Sequence, residues 1–385
     1  MVLSSLVVIF LFLTGSLTIY YIVPKPFKNT VILLSSIVFY TWGEPSYVIV
    51  MLISTLIDYC AGLVIWKWGA NKVIRRIALI VSIVMNLTLL GLFKYSGFVA
   101  SNINAVAGDA VLNINEAFFF GIKDLPLNTL PIGISFFTFQ SMSYTIDMYR
   151  GEIEVQKNPI SFAAFVTLFP QLVAGPIVRY SDISKELDRR TINIDKIYDG
   201  VVRFITGMGK KVLIANSVGG LWDTVLADVQ SGVPVSAAAA WLGVIAYTLQ
   251  IYFDFSGYSD MAIGLGKMMG FNFPENFNYP YLSKSVSEFW RRWHITLGAW
   301  FRSYVYIPLG GNRKGMGRTI FNLGVVWLLT GIWNGADWTF IIWGVLYGVF
   351  IILERLFLGK LLAKLPDLVS WLYTILLVMY GWVLF

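Results

Sequence analysis

Long apolar stretches restrict the fold of this chain more than any other feature of its sequence. They recur from one end to the other, and many are long enough to cross the ~30 Å hydrocarbon core of a bilayer as a helix. Of the 385 residues, 57% are hydrophobic and 13% are charged, whereas a soluble domain has about 25% charged residues. The stretches lack the alternation of apolar and polar residues that marks a transmembrane β-barrel. We therefore expect an all-α polytopic integral membrane protein.

Transmembrane helices are expected wherever an apolar run is uninterrupted. The expected spans are 3–23, 30–43, 46–66, 77–97, 199–222, 236–253, 319–332, 338–358 and 367–385. The first run lacks the basic start and the cleavage site of a signal peptide, so we interpret it as a retained helix. Segments 126–140 and 160–178 are apolar but contain Pro and Gly, which favours re-entrant or broken helices inside the protein. The last run ends at Phe385 without a polar tail, which suggests a truncated C-terminus.

Charged residues predict the orientation of the first helices, because cytoplasmic loops are enriched in Lys and Arg. Two short loops are basic: their residues are Lys25 and Lys28, then Lys67, Lys72, Arg75 and Arg76. Placing both loops inside leaves the N-terminus outside. Segment 98–125 fits an outside loop because it is mainly acidic, with Asp109, Glu116, Lys123 and Asp124. The basic loops also explain the net charge of +7 without nucleic-acid binding.

The sequence has few of the residues that form metal sites or act as covalent nucleophiles. One cysteine, Cys60, and one histidine, His294, are too few for a zinc site. No spacing of Asp and Glu suggests an oxygen cage for another metal. Cys60 lies in an apolar run, so we interpret it as a small packed side chain. With no GxSxG motif either, an enzyme of this kind is expected to transfer a group directly between two bound substrates.

Polar side chains inside apolar sequence are the main indication of function. Each one costs free energy in a membrane unless it is paired or hydrated. They concentrate between residues 131 and 340 and include Gln140, Asp147, Arg150, Gln171, Arg179, Gln250, Asp254, Asp260, Glu288 and His294. Structural roles compete with functional ones. Asp254 and Asp260 fit helix caps or ion pairs with Arg, and Glu288 with Arg292 fits i,i+4 helix support. An interfacial aromatic belt is the structural alternative for Trp290, Trp293 and Trp300.

Several of these groups lie in stretches that resemble the membrane-bound O-acyltransferase family, specifically its bacterial alginate O-acetylation branch. The stretches are LPIGISFFTFQSMSYTIDMYRGE, LFPQLVAGPIVRYSDI, AYTLQIYFDFSGYSDMAIGLGKMMGFNFPENFNYPY, SEFWRRWHITLGAWFRSYVYIPLGGNR and LLTGIWNGADWTFIIWGVLYG. They follow the order of the family and cover most of residues 127–358.

The resemblance implies a fold and a reaction. Family members form a helical bundle around a central tunnel with broken helices, and move an acyl group from a cytoplasmic thioester donor to a hydroxyl. In this branch the acyl group is acetyl and the acceptor is an extracellular or periplasmic polysaccharide. Acetyl-CoA or an acyl carrier is implied as co-substrate, with no bound cofactor and with partner proteins that deliver the acceptor. Membrane lipids surround the chain in the bacterial inner membrane. It is expected to be one domain, 1–385, with N-terminal helices in 1–125 and a catalytic core in 126–358.

The resemblance also implies site residues. The catalytic histidine of the family falls in a segment that reads GIWHGA in relatives and GIWNGA here, so this position is Asn334. A second functional position falls on His294, which its neighbours suggest is held in a packed helix, close to Asn334. The structural alternative for His294 is a buried neutral imidazole bonded to a backbone carbonyl. No metal is implied, and the candidate substrate or tunnel residues are Gln171, Arg179, Asp254, Asp260, Glu288 and Trp293.

Asparagine at position 334 changes the expected chemistry. Imidazole, with a pKa of about 6.5, takes the proton of an attacking hydroxyl, whereas a carboxamide does not accept a proton. General-base assistance is worth about 10²–10⁴ in rate, so we favour loss or strong reduction of activity. The change is either engineered or a natural loss of catalysis. In the third explanation His294 acts as the base and Asn334 orients a substrate.

Three further functions remain open at this level. The chain is a non-catalytic scaffold or acyl conduit if the base is absent. It transfers D-alanyl groups to teichoic acid if it follows a related branch of the family, although the PENFNYPY wording fits O-acetylation better. A small-solute transporter also uses broken helices, but the inverted repeats expected there are missing.

Overall fold

Regular structure in this computed structural model is helical. The structure describes residues 3–108, 119, 125–127 and 129–385, and an isolated antiparallel bridge pairs Phe277 with Trp293. The chain forms two compact units. The first runs to Val201 and includes Leu265–Phe273, and the second comprises Val202–Gly264 and Pro274–Phe385.

The first unit is built from short and long helices. They are α1 (Thr14–Ile22), α2 (Lys28–Gly43), α3 (Val48–Lys67), α4 (Lys72–Leu90), α5 (Ser96–Ala107), α6 (Ile134–Arg150), α7 (Pro159–Thr167), α8 (Phe169–Leu172) and α9 (Tyr180–Asp188). Asparagine side chains start two of them, because a side-chain oxygen at the N-cap satisfies free backbone N–H groups. Asn71 accepts from Val73 N at 3.0 Å ahead of α4, and Asn158 accepts from Ile160 N at 2.9 Å ahead of α7.

The helices of the second half of the chain include those that form the candidate site. They are α10 (Ile194–Gly209), α11 (Asn216–Gln230), α12 (Ala237–Met268), α13 (Val286–Arg292), α14 (Ile295–Phe301), α15 (Met316–Asn334), α16 (Trp338–Leu353), α17 (Gly359–Leu362) and α18 (Asp367–Leu384). π-helical turns continue several helices, at Val8–Leu13, Gly91–Tyr95, Lys210–Ala215, Arg302–Tyr306 and Glu354–Leu358.

Within the described ranges, six helices are long and apolar enough to cross a membrane. They are Val48–Lys67, Lys72–Ala107, Ile194–Gln230, Ala237–Met268, Trp338–Leu362 and Asp367–Leu384. They correspond to six of the predicted spans and confirm a multi-pass all-α membrane protein. The remaining predicted spans, 3–23, 30–43 and 319–332, form helices that are shorter or less apolar than these six.

The two segments predicted to be broken differ from each other. Segment 160–178 breaks at Leu168, whose ψ of 103° separates α7 from α8, and Pro170 lies in the first turn of α8, where its missing N–H is tolerated. The break is confirmed there. In segment 126–140 the irregular backbone ends at Gly133, with φ 76°, and α6 then continues to Arg150. The prediction of a broken helix across 126–140 was wrong beyond Gly133, since no proline or glycine interrupts residues 134–150.

Two further expectations are corrected in the first unit. Cys60 is exposed on α3, so the prediction that it is packed was wrong. An apolar stretch that faces lipid has the same composition as one that faces a protein core, so the sequence did not distinguish them. Residues 98–107 are helical rather than an outside loop. The charged residues that suggested the loop, Asp109, Glu116, Lys123 and Asp124, lie outside the described residues.

A close helix pair carries Asn334 in the second unit. At Gly331 of α15, an added Cβ would lie 2.5 Å from Phe340 O, and at Gly344 of α16 it would lie 2.6 Å from Trp327 O. Small residues let helix backbones approach closely in membranes. Asp337 then starts α16 by accepting from Thr339 N at 3.0 Å. The backbone around Asn334 is therefore fixed by the contact between α15 and α16.

Aromatic side chains form the core next to this helix pair. The buried members include Phe289, Trp293, Trp327, Trp343, Tyr347 and Trp382. Trp290 packs against the cluster, 4.9 Å from Trp327 between ring centroids, and Trp300 is 5% exposed. The alternative of an interfacial belt for these tryptophans was wrong. Tryptophan suits both places, and its neighbours in the fold decide between them.

Candidate active site

His294 lies in a turn between α13 and α14. Its backbone is left-handed, with φ 45° and ψ 53°, a conformation that costs about 1–3 kcal/mol in a residue other than glycine. Pairing with the preceding segment holds it: Ile295 N donates to Asn276 O at 3.0 Å, and Asn278 N donates to Arg292 O at 2.9 Å. The expectation that His294 belongs to a packed helix was wrong, because its left-handed backbone separates α13 from α14 and its neighbours pair with residues 276–278.

Asn276 orients the imidazole of His294. Its side chain is fully buried, and its Oδ1 lies 3.0 Å from His294 Nδ1. Thr296 donates to the same oxygen twice, from its backbone N at 3.3 Å and its hydroxyl at 2.9 Å. Asn276 Nδ2 donates to Ser259 Oγ at 3.2 Å. The partner of Nδ1 is thus a side-chain amide oxygen rather than the backbone carbonyl of the structural alternative.

These contacts assign the tautomer of His294. The backbone N–H of Thr296 is an obligatory donor, so the Asn276 atom facing it is the oxygen and not the amide nitrogen. An amide oxygen only accepts, and His294 Nδ1 must therefore carry the proton that it shares with Asn276. In a neutral imidazole the other nitrogen, Nε2, is then unprotonated and able to accept a proton.

Burial keeps the imidazole neutral. His294 is 5% exposed, and burial lowers the pKa of His294 to about 3, since an apolar environment disfavours the charged form. The ring of Phe255 packs edge-on against it, with centroids 4.9 Å apart. Asn276 is uncharged and does not offset this effect as a carboxylate would. His294 is therefore a neutral acceptor over the physiological pH range.

A pocket of about 290 Å³ adjoins His294 within the second unit. Its walls are largely aromatic and aliphatic and include Trp290, Leu297 and Trp327, while Thr330 and Arg302 add polar groups. Ligand pockets commonly combine apolar walls with a few placed polar groups. The pocket is therefore an apolar volume with His294 among its lining residues.

Asn334 ends the helix that forms one wall of this pocket. Its Nδ2 donates to Thr330 O at 2.8 Å, one helical turn back, and Thr330 itself lines the pocket. The preceding residue, Trp333, lies 5.9 Å from His294 between ring centroids. The structure thus brings the GIWNGA segment and the His294 turn together, although they are far apart in sequence.

Asp254 and Asp260 face basic residues of the second unit. Asp260 is 7% exposed and pairs with Arg203 and Lys210, each at 2.6 Å. Asp254 pairs with Lys211. The structural alternative of ion pairing is confirmed, with lysine as well as arginine partners.

Glu288 and Trp293 both precede His294: Glu288 lies in α13, and Trp293 follows the last residue of that helix. Glu288 pairs with Arg292 at 2.8 Å, which confirms the expected i,i+4 contact. Trp293 is 4% exposed and stacks on Phe289 at 5.6 Å. Both residues shape α13 and the turn after it.

Gln171 and Arg179 belong to the first unit. Gln171 is 2% exposed, and its Nε2 lies 3.5 Å from Phe165 O. Arg179 pairs with Asp182 at 2.9 Å at the start of α9. A substrate role for either residue stays a prediction.

Sequence reasoning missed Asn276. The residue lies in the PENFNYPY motif, but asparagine next to proline and glycine-rich sequence usually indicates a turn. Only its full burial and its contacts with His294 and Thr296 distinguish it.

Comparison with known proteins assigns the sequence of this chain to a family. The model of the membrane-bound O-acyltransferase family, MBOAT, matches residues 135–383. A probable alginate O-acetylase AlgI of Azotobacter vinelandii is 44% identical over 389 residues, 100% of this chain and 75% of the relative. A peptidoglycan O-acetyltransferase of Helicobacter pylori is 34% identical over 98% of this chain and 75% of its own length. A teichoic acid D-alanyltransferase of Bacillus subtilis is 28% identical over 57% of each chain. The chain belongs to the membrane-bound O-acyltransferase family.

Proposed function

We propose that this O-acyltransferase moves acetyl groups from a thioester donor, acetyl-CoA or an acyl carrier, to hydroxyls of an envelope polysaccharide. The observation that carries the proposal is His294, a neutral imidazole with Nδ1–H bound to Asn276, beside an apolar pocket. Identity of 44% to an alginate O-acetylase against 28% to a D-alanyltransferase favours O-acetylation. D-alanyl transfer to teichoic acid is the second candidate substrate reaction.

The proposed reaction is a direct transfer. The acceptor hydroxyl gives its proton to an imidazole as its oxygen attacks the thioester carbonyl, forming a C–O bond. The C–S bond then breaks, and the departing thiolate takes up the proton. In this proposal the Nδ1 proton of His294 stays on Nδ1 and remains hydrogen-bonded to Oδ1 of Asn276 throughout. Nε2 is therefore the atom that exchanges the proton.

Asn334 limits the rate in this proposal. Its carboxamide accepts no proton, and one of its N–H groups donates a hydrogen bond to Thr330 O. Its remaining N–H is suited to a hydrogen bond with the acyl carbonyl oxygen, which orients the donor. His294 alone is a weak base, because burial lowers the pKa of His294 far below the operating pH. We therefore infer strongly reduced transfer rather than full activity.

The setting of the reaction is part of the same proposal. Basic loops at Lys25 and Lys67 place the N-terminus outside the bacterial inner membrane under the positive-inside rule. The chain acts as one membrane-embedded domain, with its catalytic core in 126–358 around a tunnel that links the two faces. Partner proteins deliver the acceptor to the outer face.

A side-by-side measurement of acetyl transfer tests the proposal. Membranes carrying the wild type, Asn334→His, Asn334→Gln or His294→Ala receive a labelled acetyl donor and an envelope polysaccharide. We expect slow transfer by the wild type, a gain of about 10²–10⁴ in Asn334→His, and no gain in Asn334→Gln, which keeps an amide. His294→Ala should abolish the remaining transfer.

The other outcomes identify the alternatives. Transfer by Asn334→His alone would favour the non-catalytic scaffold or acyl conduit. Equal transfer by wild type and His294→Ala would contradict the role of His294. Labelling of teichoic acid from a D-alanyl donor, with no acetyl transfer, would favour the second substrate.

A further inference from the structure

A strongly basic pocket lies in the first unit, outside the candidate active site. It has a volume of about 650 Å³ and lies between the end of α1 with the turn after it and the segment that follows α9. Its charged lining residues are Lys25, Lys28, Asp188, Arg189 and Arg190. We call this set the basic pocket. Four cations face one carboxylate there, which makes it a concave site of positive charge.

Neutral groups hold the cations of the basic pocket in place. Lys28 Nζ donates to Tyr20 O at 2.8 Å and lies 4.2 Å from the centroid of the Tyr20 ring. The guanidinium carbon of Arg190 lies 4.6 Å from the Phe271 ring, and one Nη donates to Asn29 Oδ1. Backbone, amide and aromatic partners fix these side chains without cancelling their charge.

Ion pairs do not neutralise the basic pocket. Among the ion pairs of the described residues, none involves its four basic side chains. Asp188 instead accepts from Gln156 Nε2 at 3.3 Å. Burial lowers the pKa of Lys28, and the positive charges of Arg190 and Lys25 lower it further. The basic pocket therefore has a net positive charge.

One hydrogen-bond donor of Arg190 is unused within the described residues. Its Nη1 is buried and has no hydrogen-bond partner among the described residues. A buried charged donor without a partner is costly, and a guanidinium matches phosphate oxygens in geometry as well as charge. A tetrahedral phosphate accepts several such hydrogen bonds at once, so it suits the fork of Arg190 together with the ammonium of Lys28.

We propose that the basic pocket binds the phosphate group of an anionic ligand through Lys28 and Arg190. Anionic phospholipid headgroups carry this group and are attracted to basic residues at the ends of membrane helices. Soluble phosphate compounds carry the same group. The site is independent of the proposed acetyl transfer, which uses residues of the second unit.

Binding by the purified full chain in detergent tests the site and distinguishes the two sources. The lipid probe is short-chain phosphatidylglycerol below its micelle concentration, and the soluble probe is inorganic pyrophosphate. The test variant is Lys28→Gln/Arg190→Gln, which removes charge but keeps polar side chains. The control is Lys314→Gln/Arg313→Gln, which removes the same charge from exposed positions outside the pocket.

We expect saturable binding of at least one probe, weakened about tenfold or more in the test variant and about twofold or less in the control. Binding of phosphatidylglycerol alone assigns the site to lipid, and binding of pyrophosphate alone assigns it to a soluble ligand. If Arg190 is needed for folding, Lys28→Gln alone replaces the test variant, since it keeps Arg190 and removes the charge of the other proposed phosphate ligand. Equal losses in test and control variants, or binding of neither probe by the wild type, would overturn the proposal.

Discussion

Oδ1 of Asn276 lies 3.0 Å from Nδ1 of His294, and this contact determines which imidazole nitrogen carries the proton. A carboxylate in the place of Asn276 would stabilise the imidazolium, as opposite charges raise the pKa of a histidine. The amide orients the ring without adding charge. Asn276 therefore fixes the orientation of the His294 ring without raising the pKa of His294.

The tautomer of His294 is open to direct measurement, because it is the only histidine of the chain. In protein labelled with ¹⁵N-histidine, we expect NMR shifts of an imidazole protonated at Nδ1. The shifts should stay constant from about pH 8 to pH 5, since burial lowers the pKa of His294 to about 3. Titration at about pH 6.5 would show a hydrated imidazole and contradict the assignment.

Replacing Asn276 by Asp should make His294 titrate. The new carboxylate raises the pKa of His294, so the imidazole gains a proton as pH falls through the raised value. The same ¹⁵N signals should then move between about pH 8 and pH 5. Asn276→Ala is the control, since it removes the contact without adding charge. A pH-independent spectrum in Asn276→Asp would show that Asn276 does not control the protonation of His294.

The α15–α16 contact predicts unequal effects of two glycine substitutions on the same helix. Gly331→Ala places a Cβ 2.5 Å from Phe340 O and should destabilise the purified protein by about 1–3 kcal/mol, as overpacking does. Gly324→Ala meets nothing within 4 Å and should be neutral or stabilise by about 0.5–1 kcal/mol. Thermal unfolding in detergent compares them. Equal melting temperatures would argue against the close approach of the two helices.

Asp260 should matter more for stability than Asp254. Asp260→Asn leaves Arg203 and Lys210 without a buried partner, and breaking a buried pair costs up to about 3–5 kcal/mol. Both cations are about a third exposed, so we expect a smaller loss of about 1–3 kcal/mol. Asp254→Asn, at a half-exposed carboxylate, should cost less than about 1 kcal/mol. Chemical denaturation of both variants checks the order, and a larger loss at Asp254 would contradict it.

The sequence predicted the features that depend on local pattern. Apolar run length located six spans, and Pro170 indicated the break near Leu168. The Glu288–Arg292 pair followed from helical spacing. Each of these depends on residues close together in the chain, where periodicity and backbone sterics suffice.

The features that sequence did not predict depend on distant contacts. The left-handed turn at His294 exists because residues 276–278 pair with it, and the buried role of Asn276 follows from the same pairing. Cys60 was misplaced because lipid and protein core favour the same apolar residues. The basic pocket joins Lys28 to Arg190, which no single stretch reveals.

The close contact between α15 and α16 has a consequence for the evolution of residue 334. The backbone at Asn334 is held by Gly331 and Gly344, whatever side chain residue 334 carries. Codons for asparagine and histidine differ in a single base. A lineage that keeps both glycines therefore keeps the backbone position of residue 334, and a single-base change in the gene exchanges asparagine for histidine there without disturbing this helix contact.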